Sequence, residues 1–263
     1  MSRQPALGSA ATARAVPAAL ATTVVLAQIA YPLTEGVVRH RLTVATVVVF
    51  FATTAAHALL WRGWRFAALL VAVTAGVGLA VEVVGTATGW PFGAYRYTGT
   101  LGPHVAGIPV VIPLAWTMMA YPALLVGARI SPHPVGAVIA GAVALTAWDL
   151  FLDPQMVAEG HWVWAAAGPA VLGIPLTNYA GWFVTALAMM AALVPALRAT
   201  AAHGERADDR VPYVLYGWVY GSSVLAHAVF FGLPGSALVG GVGMGLVLVF
   251  FVRATRERAV VRQ

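Results

Sequence analysis

The chain is 263 residues long, 60% hydrophobic and only 9% charged, with a formal net charge of +6 and no cysteine. A mean hydropathy of +0.84 and so few charges, against roughly a quarter in soluble domains, point to an integral membrane protein. Disulfides, thiolate catalysis, iron–sulfur clusters and cysteine zinc sites are excluded; all 15 basic residues are arginines standing between apolar runs, so the positive charge does not imply nucleic acid.

Apolar runs near the roughly 20 residues that cross a bilayer lie at 16–34, 42–60, 66–85, 109–128, 135–152, 176–197, 211–231 and 235–252. The sequence therefore predicts an all-α polytopic bundle of about eight transmembrane helices, one domain over 1–263. The first run follows Arg3 and Arg14 like a signal peptide, but no clear cleavage site follows it, and it is read as a span. Between the second and third runs, Trp61 and Trp64 alternate with arginines, as interfacial anchors do.

The third run ends in Glu82 and leads into a loop with Trp90, Pro91, Phe92, Tyr95, Tyr97, Pro103 and Pro109. There the sequence repeats itself: Gly102 to Trp116 reads GPHVAGIPVVIPLAW and Gly168 to Trp182 reads GPAVLGIPLTNYAGW, 66 positions later. The repeat predicts two helix–loop–helix units, about 66–128 and 135–197. The fifth run carries Trp148 and Asp149 near its end, then Asp153, and opens a second aromatic loop with Pro154, His161, Trp162, Trp164, Pro169 and Pro175. Irregular backbone cannot face lipid, so both loops are expected to fold back as a lid over a cavity. The stretch 198–210 reads as a polar linker, and Gly240, Gly241, Gly243 and Gly245 in the last run as a close-packing face.

With eight spans, Arg3, Arg14, Arg62, Arg65, Arg129, Arg198, Arg206, Arg210, Arg253, Arg256, Arg258 and Arg262 share one side, leaving Arg39, Arg41 and Arg96 on the other. The positive-inside bias predicts a protein of the cell membrane with both termini in the cytoplasm and the loops 86–108 and 153–175 outside. Seven spans would spoil that asymmetry.

Three acids fall inside or at the ends of the runs: Glu82, Asp149 and Asp153. A carboxyl within a span is costly and is a functional candidate by default. Glu82 and Asp149 sit at similar depth, while Asp149 and Asp153, four apart, share one helical face. Desolvation and a neighbouring carboxylate both favour the protonated form of such a group, which can then deliver a proton. Asp153 before Pro154 also fits a helix-end turn, and any of the three acids can instead bridge helices. Asn178, where the first repeat has Ile112, adds a polar group that either holds a water or bridges helices.

His40, His57, His104, His133, His161, His203 and His227 show no metal-ligand spacing, which disfavours a membrane diiron oxygenase and predicts no metal. His57 and His227 are expected to be hydrogen-bonded packing residues. The Asp149–Asp153 spacing also matches the second aspartate motif of membrane prenyltransferases, but a diphosphate needs a further acidic cluster and cations beside it, and no partner motif is present.

The segments GWPFGAYRYTGTLGPHVAGIPVVIPLAW, AWDLFLDPQM and GIPLTNYAGW resemble the carotenoid-biosynthesis membrane protein family that includes the carotenoid 1,2-hydratases. The resemblance is specific from Glu82 to Trp182. It implies addition of water to the terminal double bond of an acyclic carotenoid end, giving a tertiary alcohol, with membrane-dissolved carotenoid, water and lipid as partners and other pathway enzymes as candidates. The chemistry needs a proton on one carbon, a tertiary cation on the other and then water, with no cofactor. Glu82 or Asp149 is expected to be the acid, with Asp153 supporting. Trp90, Tyr95, Tyr97, Trp148, Trp162 and Trp182 are candidates to bind the substrate and stabilise the cation through their π faces, and a second carboxylate with Asn178 to orient the water. An acid-initiated isoprenoid cyclase, a prenyltransferase and a non-enzymatic polyene or lipid carrier are the alternatives.

Overall fold

A computed structural model of the chain describes residues 7–165, 168–202 and 207–260; Arg3, His203, Arg206 and Arg262 lie outside them. Among the described residues there are eight long helices: α1 (Leu7–Ala30), α2 (Gly36–Arg62), α3 (Trp64–Thr88), α4 (Val111–Ile130), α5 (Pro134–Ala158), α6 (Leu176–Ala202), α7 (Arg210–Val229) and α8 (Pro234–Val260). Six short strands accompany them: β1 (Tyr95–Tyr97), β2 (His104–Val105), β3 (Ile108–Pro109), β4 (Trp162–Trp164), β5 (Ala170–Val171) and β6 (Ile174–Pro175). The architecture is an all-α polytopic bundle, and seven of the helices are long and apolar enough to cross a membrane. The exception is α7, which matches the seventh predicted run but carries tyrosines, serines and His227. Its polar groups turn inward: the Tyr216 hydroxyl donates to the Ala144 carbonyl at 2.9 Å and the Trp218 indole to Gln28 at 2.7 Å.

At the centre stands α4, packed on α2, α3, α5, α6, α7 and α8. Small residues permit this. A Cβ on Gly127 would lie 2.4 Å from the backbone nitrogen of Gly141, so α4 and α5 touch backbone to backbone. On the other side of α5, a Cβ on Gly240 would meet the Phe151 ring at 2.8 Å, which gives the glycines of α8 the packing role expected of them. With α3, α5 and α6, helix α4 closes a ring, α6 returning to α3.

Three prolines sit inside helices where neighbours repair the damage. Proline removes the N–H that would bond the carbonyl four residues back. For Pro17, Pro122 and Pro154 those carbonyls are Ala13, Met118 and Leu150. The Trp61 indole donates to the first at 3.0 Å, the Thr54 hydroxyl to the second at 3.1 Å and the Ser236 hydroxyl to the third at 2.8 Å. In hydrocarbon no water can do this, so each repair also ties two helices together. It also explains why α5 does not end at Asp153, as a turn would require, but runs through Pro154 to Ala158.

The same element order occurs twice: α3, β1, hairpin β2–β3, α4, and then α5, β4, hairpin β5–β6, α6. Each hairpin turns on a positive-φ pair, Ala106–Gly107 and Leu172–Gly173, the geometry that two-residue hairpin loops prefer. Between the two units β1 pairs antiparallel with β4, Arg96 facing Val163. The loops thus fold onto one another across the end of the ring.

Candidate active site

The β1–β4 ribbon sets the geometry of the site. A two-stranded antiparallel pair has a local two-fold axis, which here passes between Arg96 and Val163, 67 positions apart. Glu82 and Asp149 are also separated by 67 positions. The hairpins instead repeat at 66, because six steps separate Arg96 from Gly102 and five separate Val163 from Gly168. Counted by the hairpin offset, Glu82 falls opposite Trp148; by the ribbon it corresponds to Asp149.

Beneath the ribbon lies a cavity of about 170 Å³, its walls predominantly apolar. Glu82, Asp153, Tyr95, Tyr97, Trp148, Trp162, Asn178 and Trp182 all line it. Asp149 does not; it is fully buried immediately behind the wall. Trp90 is 69% exposed and does not line the cavity, so the structure does not bring it to the other candidates.

Glu82 is held by donors. The hydroxyls of Tyr95 and Tyr97 both donate to Oε2, the second at 2.7 Å, and the Trp116 indole donates to Oε1 at 3.3 Å. Burial first, and then the carboxylate of Glu82, push both loop phenols above the usual phenol range, so they remain protonated donors. Asp149 and Asp153 form the second acidic group. The Asn178 amide nitrogen donates to Oδ2 of Asp149 at 2.9 Å and to Oδ2 of Asp153. The two carboxyls thus meet on one amide nitrogen. Asp149 Oδ1 has no hydrogen-bond partner among the described residues.

The aromatic wall has two clusters. Trp116 and Trp182 stack with centroids 3.9 Å apart, Trp148 meets Trp182 edge-on at 5.9 Å, and Tyr97 meets Trp162 edge-on at 5.8 Å. Trp116, Trp164 and Phe92 also line the cavity, and none was singled out from the sequence as a site residue. The available signal was the repeat itself, since Trp116 ends the first copy where Trp182 ends the second.

The histidines stand apart from this centre. His57 is buried between the Tyr121 hydroxyl at 3.0 Å and the Asp208 carbonyl at 2.9 Å, and His227 meets Gln155 at 3.3 Å, both as packing residues. His161, behind the ribbon, is fully buried with Nδ1 at 2.7 Å from the Thr100 hydroxyl; burial, with His40 beside it, holds its imidazole down at about 4.

Comparison with known proteins places these observations in a family. The sequence model of a family described as carotenoid biosynthesis protein matches residues 42–248, well over half of the chain. The bisanhydrobacterioruberin hydratase of Haloarcula japonica is 35% identical over 122 residues, which cover 44% of this chain and 40% of that protein. The match thus spans less than half of that relative. No solved structure matches the chain.

Proposed function

This chain belongs to the carotenoid biosynthesis protein family, and from that premise we propose that it is a hydratase, adding water to the terminal double bond of an acyclic carotenoid end to give a tertiary alcohol. What carries this reading is one arrangement: Glu82 from α3 and Asp153 from α5 face the same aromatic cavity, one held by three donors and the other paired with Asp149 through Asn178. The name of the Haloarcula relative, itself a hydratase, supports it.

The two acidic groups take different roles. Asp153 lines the cavity and shares a proton with Asp149 behind it; it protonates the less substituted alkene carbon. The tertiary cation forms against the faces of Trp116, Trp182 and Trp148, where π density offsets the charge. Glu82 accepts hydrogen bonds from three donors and acts as the base: it orients the attacking water and takes its proton as the carbon–oxygen bond forms. The proton on Glu82 then returns to the aspartate pair, and the net change is alkene plus water to alcohol. Tyr95 and Tyr97 hold Glu82 and close the site with the ribbon.

A prenyltransferase fits the cavity less well. None of its lining residues is an arginine or a lysine, whereas a diphosphate needs cations beside it. A cyclase would use the same acid but exclude water. We place the protein in the cell membrane with the ribbon outside and both termini in the cytoplasm, following the arginine asymmetry.

Expression in a host that accumulates an acyclic carotenoid tests the function. The hydratase yields a product heavier by one water per modified end; a product of unchanged mass selects the cyclase, and unchanged substrate contradicts an enzymatic role.

A further inference from the structure

A second face of the same cavity is polar without being charged. Opposite in character to the carboxylate wall, it is formed by Gln28 of α1, Tyr31 of the following turn, Thr43 and Thr46 of α2, and Ser222 and Ser223 of α7. The hydroxyls of threonines in helices commonly bond the carbonyl one turn back, and here Thr43 does so to Arg39 at 3.0 Å and Thr53 to Val49 at 2.8 Å. Thr46 does not. It is 8% exposed, lines the cavity, and its hydroxyl has no partner among the described residues. The Tyr31 hydroxyl accepts from the Thr43 hydroxyl at 3.4 Å and also meets the Gln155 side chain. Gln28 already accepts from the Trp218 indole and the Ser222 hydroxyl bonds the Val219 carbonyl at 3.4 Å, but leaving a buried hydroxyl without a bond costs free energy, so Thr46 is suited to a ligand group that supplies the bond.

The chemistry of that group follows from the face. Arg39, which lies over the Tyr31 ring at 5.7 Å, is tied to Glu159 at 2.6 Å, so its charge is already answered. Threonine, tyrosine, serine and glutamine offer both donors and acceptors, which matches a neutral hydroxyl and not an anion.

We propose that Thr46, with Tyr31, Thr43 and the two serines, forms a subsite for a hydroxyl carried by the same isoprenoid end that enters the cavity, apart from the carbon that reacts at Asp153. This rests on the cavity being a carotenoid site. The hydroxyl has two sources: one already present on the substrate near its terminal alkene, or the tertiary alcohol of the product.

Binding, read on mixing and before product accumulates, tests this separately from turnover. The purified protein in lipid is titrated with three acyclic polyenes, read by quenching of tryptophan fluorescence: a hydrocarbon, one with an intact terminal alkene and a hydroxyl in the same end, and one with a terminal tertiary alcohol and no terminal alkene. A hydroxylated probe binds about fivefold tighter than the hydrocarbon, the scale of one net hydrogen bond. Thr46→Val abolishes that preference and Thr46→Ser keeps it. Preference for the alkene-bearing alcohol alone identifies a substrate hydroxyl, and preference for the saturated alcohol alone a product hydroxyl. Equal affinities for all three probes, no binding of any of them, or a preference that survives Thr46→Val overturns the subsite. If Thr46→Val fails to fold, Tyr31→Phe removes a second hydroxyl from the same face and is read in the same way. Binding with the expected pattern in a protein that adds no water keeps the subsite and removes the hydratase.

Discussion

Trp116 and Trp182 stack with ring centroids 3.9 Å apart and planes tilted by 22°, and the two residues occupy the same place in the two copies of the repeat. The stack therefore brings the two units together on the cavity wall. Trp116 also donates to Glu82 at 3.3 Å, so a single indole joins the aromatic wall to the proposed base. Trp116→Phe keeps a ring but loses the donor and part of the stacked face. It is expected to lower kcat/KM about tenfold, since stacking and cation–π contact are each worth about 1 kcal/mol. Steady-state turnover compared with thermal melting checks this: a fall in melting temperature with unchanged turnover would give Trp116 a structural role alone.

The carboxyls are separable by amide substitution. Glu82→Gln and Asp153→Asn keep shape while removing the group that accepts or delivers a proton, and each is expected to cost about 10²–10⁴-fold in kcat with the protein still inserted in the membrane. Asp149→Asn is expected to retain more activity than Asp153→Asn, because Asp149 lies behind the cavity wall. Full activity in both the Glu82 and the Asp153 variants takes the carboxylates out of the mechanism.

The continuation of α5 through Pro154 places Asp153 in the cavity, and Ser236 supports that stretch by bonding the Leu150 carbonyl at 2.8 Å. Ser236→Ala leaves that carbonyl unpaired and is expected to destabilise the protein by about 1–3 kcal/mol. Pro154→Ala restores the helix's own N–H, so the double variant is expected to recover most of the loss. Thermal melting of the two singles and the double measures the coupling; simple additivity would mean that the serine does not act through the proline.

Much of the fold is legible in the sequence because membrane spans announce themselves by length and apolarity, and the duplicated GP…GIP…W segments mark two equivalent units. Glu82, Asp149 and Asp153 stand out because acids are rare in apolar runs. Asn178 stands out because the first repeat has Ile112 there, and its amide bridges both aspartates. What could not be read is set by long-range pairing. The one-residue difference between the loops hides the correspondence of Glu82 with Asp149, which emerges only from the facing of Arg96 and Val163. Asp153 next to proline looks like a turn until Ser236, 83 positions later in the chain, supplies the missing bond. Trp90 is as aromatic as its neighbours, but nothing local distinguishes an exposed ring from one under the ribbon.

The source of the oxygen atom tests the central claim most directly. Purified protein in lipid, given an acyclic carotenoid under argon in water enriched in heavy oxygen, is expected to form a tertiary alcohol that carries the label, because the proposed steps use only a proton, the alkene and water. An alcohol whose oxygen comes from dioxygen gas, or a strict requirement for dioxygen, would contradict the hydratase.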